Sequence, residues 1–242
     1  MRVCAAIVFA SALIVSHAMP AHAASLQASP VTVEIQTPAS TSTVTLRNEG
    51  DAPLNAQIRV FRWSQIDGKE KLEPTNDVVA SPPMATLGPK ADYLVRLVRL
   101  SKTAAITEET YRILVDEIPE AKTQSSGVNI AMRYSIPVFI EPRQIEGAKL
   151  TWTAEHVNGQ FVVKAVNTGD RRVRVSELKA SDASGAVVSF GNGLNGYVLA
   201  RSSNQWVASS AAVKIGNAGS VTISAKGDAG PINAKTSSNA SR

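Results

Sequence analysis

The sequence predicts an all-β protein made of two β-sandwich domains. Three observations support this. Apolar and polar residues alternate with period two in many short segments, Gly, Asn and Asp turn signals separate those segments, and there is no amphipathic helical pattern of any length. Regular short strands joined by turns are typical of antiparallel sandwiches. The pattern breaks at Glu141–Gly147 (EPRQIEG), which predicts a hinge between two groups of strands.

The first residues predict a signal peptide rather than part of the fold. Arg2 supplies a positive charge, Val3–Met19 is mostly apolar, and Ala21–Ala23 (AHA) is an A-x-A cleavage signal. We therefore expect residues 1–23 to be removed. Cys4 leaves with them, so the exported chain has no cysteine and depends on its apolar core instead of disulfides. No later stretch is apolar enough to predict membrane insertion, which favours a soluble periplasmic or secreted protein.

We predict that residues 24–142 form the N-terminal domain. Gln65–Lys69 (QIDGK) predicts a hairpin turn through Asp67-Gly68. The predicted strands are Val31–Ile35, Ser42–Leu46, Leu54–Trp63, Tyr93–Leu100, Tyr111–Glu117 and Val128–Ile140.

We predict that residues 143–226 form a second, smaller β-domain, which is richer in Ser, Ala, Gly and Asn than the first. Residues 227–242 are polar and have no periodicity, so we expect a flexible tail there. The predicted strands of the second domain are Leu150–Glu155, Gln160–Asn167, Val173–Ser181, Val187–Phe190, Gln205–Val207 and Val221–Ala225.

The segment Val128–Pro142 (VNIAMRYSIPVFIEP) is the most informative of these strands. Its apolar side begins with Val128, Ile130, Met132 and Tyr134, and it closes on a proline, Pro142, that a central strand would not tolerate. This indicates a long apolar strand near an open edge of its sheet. Such a strand can pair with another chain.

Catalytic chemistry is difficult to place on this chain. The mature chain keeps one histidine, His156, directly before the turn signal VNG, where we expect a surface residue. With no cysteine and a single histidine, the mature chain excludes thiol nucleophiles and multi-histidine metal sites. The neighbouring acids Glu108-Glu109 and Asp116-Glu117 point to opposite faces of their strands, so neither forms a cooperating pair. We predict no enzyme activity, no cofactor and no metal.

The charge balance gives little support to nucleic-acid binding. The whole chain has 25 Lys and Arg and 20 Asp and Glu, and loss of Arg2 leaves 24 basic residues, an excess of four. These basic residues are scattered along the sequence and form no basic run. We therefore expect no nucleic-acid partner.

Arginines on apolar strands need an anionic partner. Arg96 and Arg99 lie on opposite faces of their predicted strand, and Arg133 faces away from the apolar side of its own. Two explanations are open for each of them. One is an internal ion pair with a carboxylate such as Asp116 or Glu117, and the other is a cleft that binds a ligand carboxylate through two parallel hydrogen bonds.

Short motifs along the chain follow a distinctive order. They are Ser81–Pro83 (SPP), Leu87–Lys90 (LGPK), Leu94–Leu97 (LVRL), Glu108–Arg112 (EETYR), Asp116–Pro119 (DEIP), Asn129–Ala131 (NIA), Ile136–Pro142 (IPVFIEP), Asn167–Gly169 (NTG) and Tyr197–Ala200 (YVLA). In this order they resemble the PapD-like periplasmic pilus chaperones, in particular the archaic branch associated with spore-coat-U-type and Csu-type pili. The resemblance covers nearly the whole mature chain and is more specific in the first domain than in the second.

The resemblance implies two immunoglobulin-like β-sandwich domains in a boomerang arrangement. Members of this family bind pilus subunits that lack their last strand, fill the resulting groove with their own G1 strand (donor-strand complementation), and deliver the subunit to an outer-membrane usher. Here the donor residues would be Val128, Ile130, Met132 and Tyr134. The alternative is that these four side chains fill the chaperone's own core. Self-association of the free chaperone would hide the same edge.

The sequence departs from the family pattern at the residues that anchor the subunit's C-terminal carboxylate. Better-known members use an arginine on the first strand and a lysine on G1, and the matching positions here are Pro30 and Pro137. Arg133 and Arg96 are the candidate substitutes, and Arg133 is favoured. Family members often have an ion pair at the hinge between the domains. Glu141 lies where that ion pair would need a basic residue, so we do not predict that Glu141 forms it.

The predicted function is therefore that of a non-enzymatic periplasmic chaperone of pilus subunits, with the subunit and the usher as its partners. The alternative from another class is a secreted immunoglobulin-like adhesive or carbohydrate-binding module.

Overall fold

The computed structural model describes residues 26–119, 130–208, 215–216 and 219–240. Within these ranges every regular element is a β-strand, and no helix of the length and apolarity needed to cross a membrane occurs among them. The predicted signal peptide and Val128 lie outside the described residues.

Ten strands make up the N-terminal half of the described chain. They are β1 (Leu26–Ser29), β2 (Val33–Gln36), β3 (Thr41–Asn48), β4 (Leu54–Ile66), β5 (Lys69–Pro74), β6 (Val78–Ser81), β7 (Met84–Leu87), β8 (Asp92–Arg99), β9 (Glu109–Ile118) and β10 (Arg133–Glu141).

These ten strands form two sheets packed face to face. Sheet A has the order β1-β3-β8-β6, and sheet B has the order β2-β10-β9-β4-β5, with β7 also paired to β4. The pairing of β2 with β10 is parallel, and the other pairings in both sheets are antiparallel. The period-two pattern explains the packing, because buried residues from both sheets meet in one core that includes Val44, Leu46, Val95, Leu97, Ile113, Val115, Ile136, Val138 and Ile140.

The hairpin between β4 and β5 turns at the predicted residues. Asp67 and Gly68 have φ angles of 51° and 73°, the left-handed values that a two-residue type I′ turn requires. The turn lies against the second domain, because Gly68 forms an isolated bridge with Asn204.

Eight strands make up the second half. They are β11 (Leu150–Val157), β12 (Gln160–Asn167), β13 (Val173–Asp182), β14 (Val187–Ser189), β15 (Leu194–Val198), β16 (Ser203–Ala208), β17 (Gly219–Gly227) and β18 (Gly230–Ala240).

These strands form sheet C, in the order β14-β13-β17-β18-β11-β12-β16, with β15 paired to β13. Side chains join its ends, because Asn204 and Trp206 on β16 donate to the carbonyls of Tyr197 and Asn195 on β15 at 2.9 and 2.8 Å. The sheet therefore encloses its own core, which includes Trp152, Phe161, Leu178 and Ile223.

The predicted flexible tail, residues 227–242, is corrected by the structure. Gly230–Ala240 forms β18, which pairs with β17 along its length and with β11 at Ser238–Ala240. Its sequence alternates a partly buried or buried side, Ile232 to Ser238, with an exposed side. The buried side consists mostly of small or polar residues, so composition hid a strand that backbone pairing holds in place.

Two smaller predictions also need correction. The strand expected at Val128–Ile140 begins at Arg133 and ends at Glu141. His156 is not a surface turn residue: it lies within β11, opposite Phe161, and its Nε2 atom is buried without a hydrogen-bond partner among the described residues.

Candidate functional site

The N-terminal part of β10 has an unpaired edge. β9 pairs with β10 from Arg133 to Ile140, whereas β2 lies on the other side only from Val138 to Glu141. Because backbone groups of alternate residues point to opposite edges, those of Arg133 and Ser135 point away from β9. No strand of the described chain pairs with them there, so the predicted open edge is present.

Proline fits this edge. Pro137 lies on β10 opposite Arg112 of β9. It is two residues after Ser135, so its backbone groups also point away from β9. The N–H that proline lacks would therefore have lain on the free edge. A hydrogen bond at the start of β10 confirms which residues point towards β9. The Glu117 N–H donates to the Met132 carbonyl at 2.9 Å, so the backbone groups of Met132 point towards β9.

The predicted donor residues fall into two classes. Ile130 is 76% exposed and Met132 is partly buried, and both precede the first residue of β10. Tyr134, by contrast, packs against the core of the N-terminal domain and donates its hydroxyl to the Leu26 carbonyl at 2.8 Å. Ile130 therefore has a free apolar side chain, while Tyr134 already contributes to its own domain.

Arg133 is exposed and has an internal partner. Its guanidinium donates to Asp116, which also accepts from Arg59 Nη2 at 2.6 Å. Burial alone would raise the pKa of Asp116, but the hydrogen bonds from Arg133 and Arg59 outweigh it and lower that pKa. The ion pair that the sequence left open for Arg133 is present.

Arg96 and Arg99 occupy different positions from Arg133. Arg96 is exposed on the outer face of sheet A, since its neighbours Val95 and Leu97 point into the core. That face is on the opposite side of the sandwich from sheet B, so the structure does not bring Arg96 and Arg133 together. Arg99 is held by both oxygens of Glu109, at 2.9 and 2.7 Å.

Arg112 is the site residue that sequence reasoning missed. It lies on the outer face of sheet B, between Phe61 of β4 and Pro137 of β10 in the register. Its guanidinium carbon stacks 3.8 Å from the centre of the Trp63 ring, and its side chain is only 15% exposed. Burial lowers the pKa of Arg112, and the charges of Glu70 and Tyr197 offset this only in part.

Among the described residues, the contacts of Arg112 leave most of its N–H donors free. Glu70 Oε1 lies 3.7 Å from Nη2, beyond hydrogen-bond length, and the Ser135 carbonyl accepts a long bond of 3.5 Å from Nη1. No other carboxylate lies within 4 Å of it in the described chain. In the sequence, the only signal for this site is an arginine between the apolar residues Tyr111 and Ile113. The residues that surround Arg112 come from three other strands, which the sequence does not bring together.

The two domains meet at an aromatic cluster beside Arg112. Trp63 packs edge-on against Tyr197 of the second domain, with ring centres 5.6 Å apart, and Phe139 lies 5.4 Å from Tyr197. Leu199 completes this cluster, and all four side chains are buried.

Polar bonds reinforce the same joint. Gln65 is 6% exposed, and its amide donates to the Tyr197 carbonyl at 2.8 Å and accepts from the Leu199 N–H at 2.9 Å. The Gln65 side chain therefore hydrogen-bonds to both a backbone N–H and a backbone carbonyl of the second domain, as a neighbouring strand would.

A buried arginine of the second domain gathers carboxylates of the first. Arg172 donates to Glu108, to Glu34 and, at 3.0 Å, to Glu141, and its guanidinium stacks 3.5 Å from the centre of the Phe139 ring. Glu141 thus joins the hinge as an acid, because its basic partner, Arg172, comes from the β12–β13 turn of the other domain.

Glu108 is the most deeply placed of these acids. Its side chain is fully buried, and burial raises its pKa to about 7, even though the charge and the hydrogen bonds of Arg172 act to lower it. The neighbouring carboxylate of Glu141 raises that pKa further. Three acidic side chains therefore surround Arg172, and the most buried of them is the one whose pKa is raised.

The first of the two domains matches a known protein family. A family model described as pili and flagellar-assembly chaperone, PapD N-terminal domain, matches residues 25–146. The chain belongs to the PapD-like chaperone family. Its predicted function as a pilus-assembly chaperone is thereby confirmed at the level of the family, and the family is one of chaperones rather than enzymes.

Solved structures share the fold of this PapD-like chaperone along most of its length. The complex of the chaperone CsuC with the tip subunit CsuE, from the archaic Csu pili of Acinetobacter baumannii, matches with 24% identity over 90% of this chain and 100% of that chain, with a TM-score of 0.68. The SafB chaperone, solved with the pilin SafA of Salmonella enterica, matches with 13% identity over 89% and 98% of the two chains, with a TM-score of 0.62.

A third match is the CupB2 chaperone of Pseudomonas aeruginosa, with 18% identity over 87% of this chain and 98% of that chain and a TM-score of 0.54. The predicted fold, two immunoglobulin-like β-sandwiches, is confirmed. No curated protein sequence matches the chain.

Proposed function

We propose that this chaperone captures pilus subunits on the free edge of β10 and fills their missing strand with Val128, Ile130 and Met132. It works in the periplasm, after removal of residues 1–23, and hands its subunit to an outer-membrane usher. The observation that carries the proposal is the unpaired edge of β10, which ends beside Arg112, a largely buried arginine with no carboxylate at hydrogen-bond distance among the described residues. Edge pairing supplies affinity through the backbone, and alternate side chains supply specificity.

Arg112 is the proposed anchor for the C-terminal carboxylate of the subunit. It lies opposite Pro137, where the edge of β10 stops being free, and its unused N–H groups can grip a carboxylate in two parallel bonds. The stack on Trp63 fixes the plane of the guanidinium. Arg133 and Arg96 remain the alternative anchors, although Arg133 already holds Asp116 and Arg96 lies on the far sheet.

The test is capture of a subunit. The chaperone is co-expressed with a pilin-like subunit encoded beside its gene, and the complex is purified from the periplasm. Arg112→Gln should abolish co-purification, since an unpaired carboxylate left in a buried site costs about 2–5 kcal/mol. Arg133→Gln and Arg96→Gln should retain it, and Arg174→Gln, an exposed ion-paired arginine of the second domain, is the control.

Loss of capture in Arg133→Gln or Arg96→Gln, with Arg112→Gln unaffected, would move the anchor to the residue concerned. Binding of glycans without any subunit would favour the adhesive class of protein instead.

A further inference from the structure

Glu70 is the one carboxylate within 4 Å of Arg112 among the described residues. The distance between Glu70 Oε1 and Arg112 Nη2 is 3.7 Å, so the two groups attract each other without a hydrogen bond. Against the effect of burial, the charge of Glu70 raises the pKa of Arg112. It is therefore a partial counter-ion for Arg112, which has no closer one in the part of the chain that the structure describes.

The position of Glu70 makes this counter-ion easy to displace. It lies on β5, where all six side chains are exposed, and its own side chain is 48% exposed. Turning it into solvent breaks no hydrogen bond that the structure shows. Arg99 illustrates the opposite arrangement, since both oxygens of the largely buried Glu109 hold it at hydrogen-bond distance.

We infer that Glu70 is an internal competitor for the subunit carboxylate, and this inference rests on the proposed anchoring by Arg112. In the free chaperone Glu70 partly neutralises Arg112. A subunit carboxylate takes over the guanidinium with shorter, paired hydrogen bonds, and Glu70 turns to water. The remaining repulsion between the two carboxylates weakens the grip, so Glu70 sets how readily a bound subunit leaves the anchor.

The experiment measures how well the chaperone distinguishes a free carboxylate from an amide. The probes are an acetylated octapeptide of alternating valine and threonine with a free carboxyl terminus, and the same peptide with a C-terminal amide. Affinities for both are measured by NMR titration of the full mature chain. The preference for the acid is the dissociation constant of the amide peptide divided by that of the acid peptide. Both peptides pair with the β10 backbone in the same way, so that contribution cancels in the ratio.

Glu70→Gln should increase the preference for the acid about two- to fivefold, the range expected for an exposed ion pair. The control is Glu73→Gln, because Glu73 lies on the same strand with the same 48% exposure but pairs with Lys71. It should leave the preference unchanged. In an Arg112→Gln background, Glu70→Gln should have no effect.

The two proposals fail in different ways. An unchanged or reduced preference in Glu70→Gln, while the parent distinguishes acid from amide and Arg112→Gln does not, overturns the role of Glu70 alone. Equal affinity of the parent for acid and amide overturns the anchor at Arg112. An equal gain in Glu73→Gln shows only a general charge effect and also overturns the role of Glu70.

Discussion

Leu199 donates its backbone N–H to Gln65 Oε1 at 2.9 Å, across the boundary between the two domains. The same amide donates to the Tyr197 carbonyl, so one side chain satisfies a buried donor and a buried acceptor of the partner domain. Together with the aromatic cluster and Arg172, this bond holds the second domain against the outer face of sheet B, next to the edge of β10.

Replacing Gln65 by leucine should loosen this joint. Each backbone group left buried and unpaired costs about 1–3 kcal/mol, so we expect the two domains to unfold at separate temperatures in a calorimetric scan. Gln57→Leu is the control, because Gln57 lies on the same face of β4 away from the joint. A single transition at the parent's temperature in Gln65→Leu would contradict the prediction.

The turn glycines provide a second test of the joint. Gly68 and Gly159 have nearly equal φ angles, 73° and 74°, in two similar hairpin turns. A Cβ on Gly159 would meet nothing within 4 Å, whereas one on Gly68 would lie 2.8 Å from Gln205 Cγ. Both alanine variants incur the cost of a left-handed residue, about 1–2 kcal/mol.

Gly68→Ala should therefore be the less stable of the two in urea unfolding, by the additional cost of displacing Gln205. Equal unfolding free energies for Gly68→Ala and Gly159→Ala would show that the β4–β5 turn does not press on the second domain.

Glu108 should make the stability of the chain depend on pH between about 5 and 7. Its pKa is raised to about 7 in the folded state from an ordinary value near 4.5, so in this window the folded chain keeps a proton that the unfolded chain has lost. Stability should therefore fall as the pH rises through this window. Thermal unfolding of the parent and Glu108→Gln across pH 5–8 measures the effect, with Glu146→Gln, an exposed ion-paired acid, as control.

The glutamine variant should show a flatter dependence than the parent, because its side chain cannot ionise. Parallel curves for the parent and Glu108→Gln would mean that Glu108 ionises in the folded chain as it does in water.

The donor side chains should separate into those that serve the subunit and those that serve the chaperone. Ile130→Ser should leave thermal unfolding of the free chaperone unchanged, because the side chain is already exposed. In the complex it should lose about 1.5–3 kcal/mol of apolar burial and weaken subunit capture. Tyr134→Ser should lower both stability and capture, since it removes core packing and the bond to Leu26.

A destabilised free chaperone in Ile130→Ser would assign this residue to the chaperone's own core. The same pair of measurements on Met132→Ser places that partly buried residue in one class or the other.

Arg112→Lys should restore only part of the capture lost in Arg112→Gln. An ammonium keeps the charge but cannot reproduce the planar two-bond grip or the stack on Trp63. Co-purified subunit, quantified against the parent, is the measurement, and full recovery would show that charge alone suffices at this position.

The alternation of apolar residues was enough to predict the strands whose two faces differ. β12 has the predicted bounds, Gln160–Asn167, and the Asp67-Gly68 turn is where the sequence put it. β5 could not be predicted in this way, because all six of its side chains are exposed and only pairing with β4 holds it. β18 failed for the related reason that its inner side is mostly small or polar.

The candidate site divides along the same line. The closing proline, Pro142, and the apolar pattern predicted an open edge near β10, because both signals lie within one segment of the sequence. Arg112 depends on Trp63 and Glu70, and the buried Arg172 depends on Glu108, 64 residues away in the sequence. Only the folded chain brings these partners together.

Pro137 also limits how far a strand added to β10 can extend towards its C-terminal end. Beyond Pro137, β2 occupies the edge from Val138. A partner strand that continued past Pro137 would meet a residue without an N–H and then an occupied edge. The sequence of β10 itself therefore fixes where such a partner must stop.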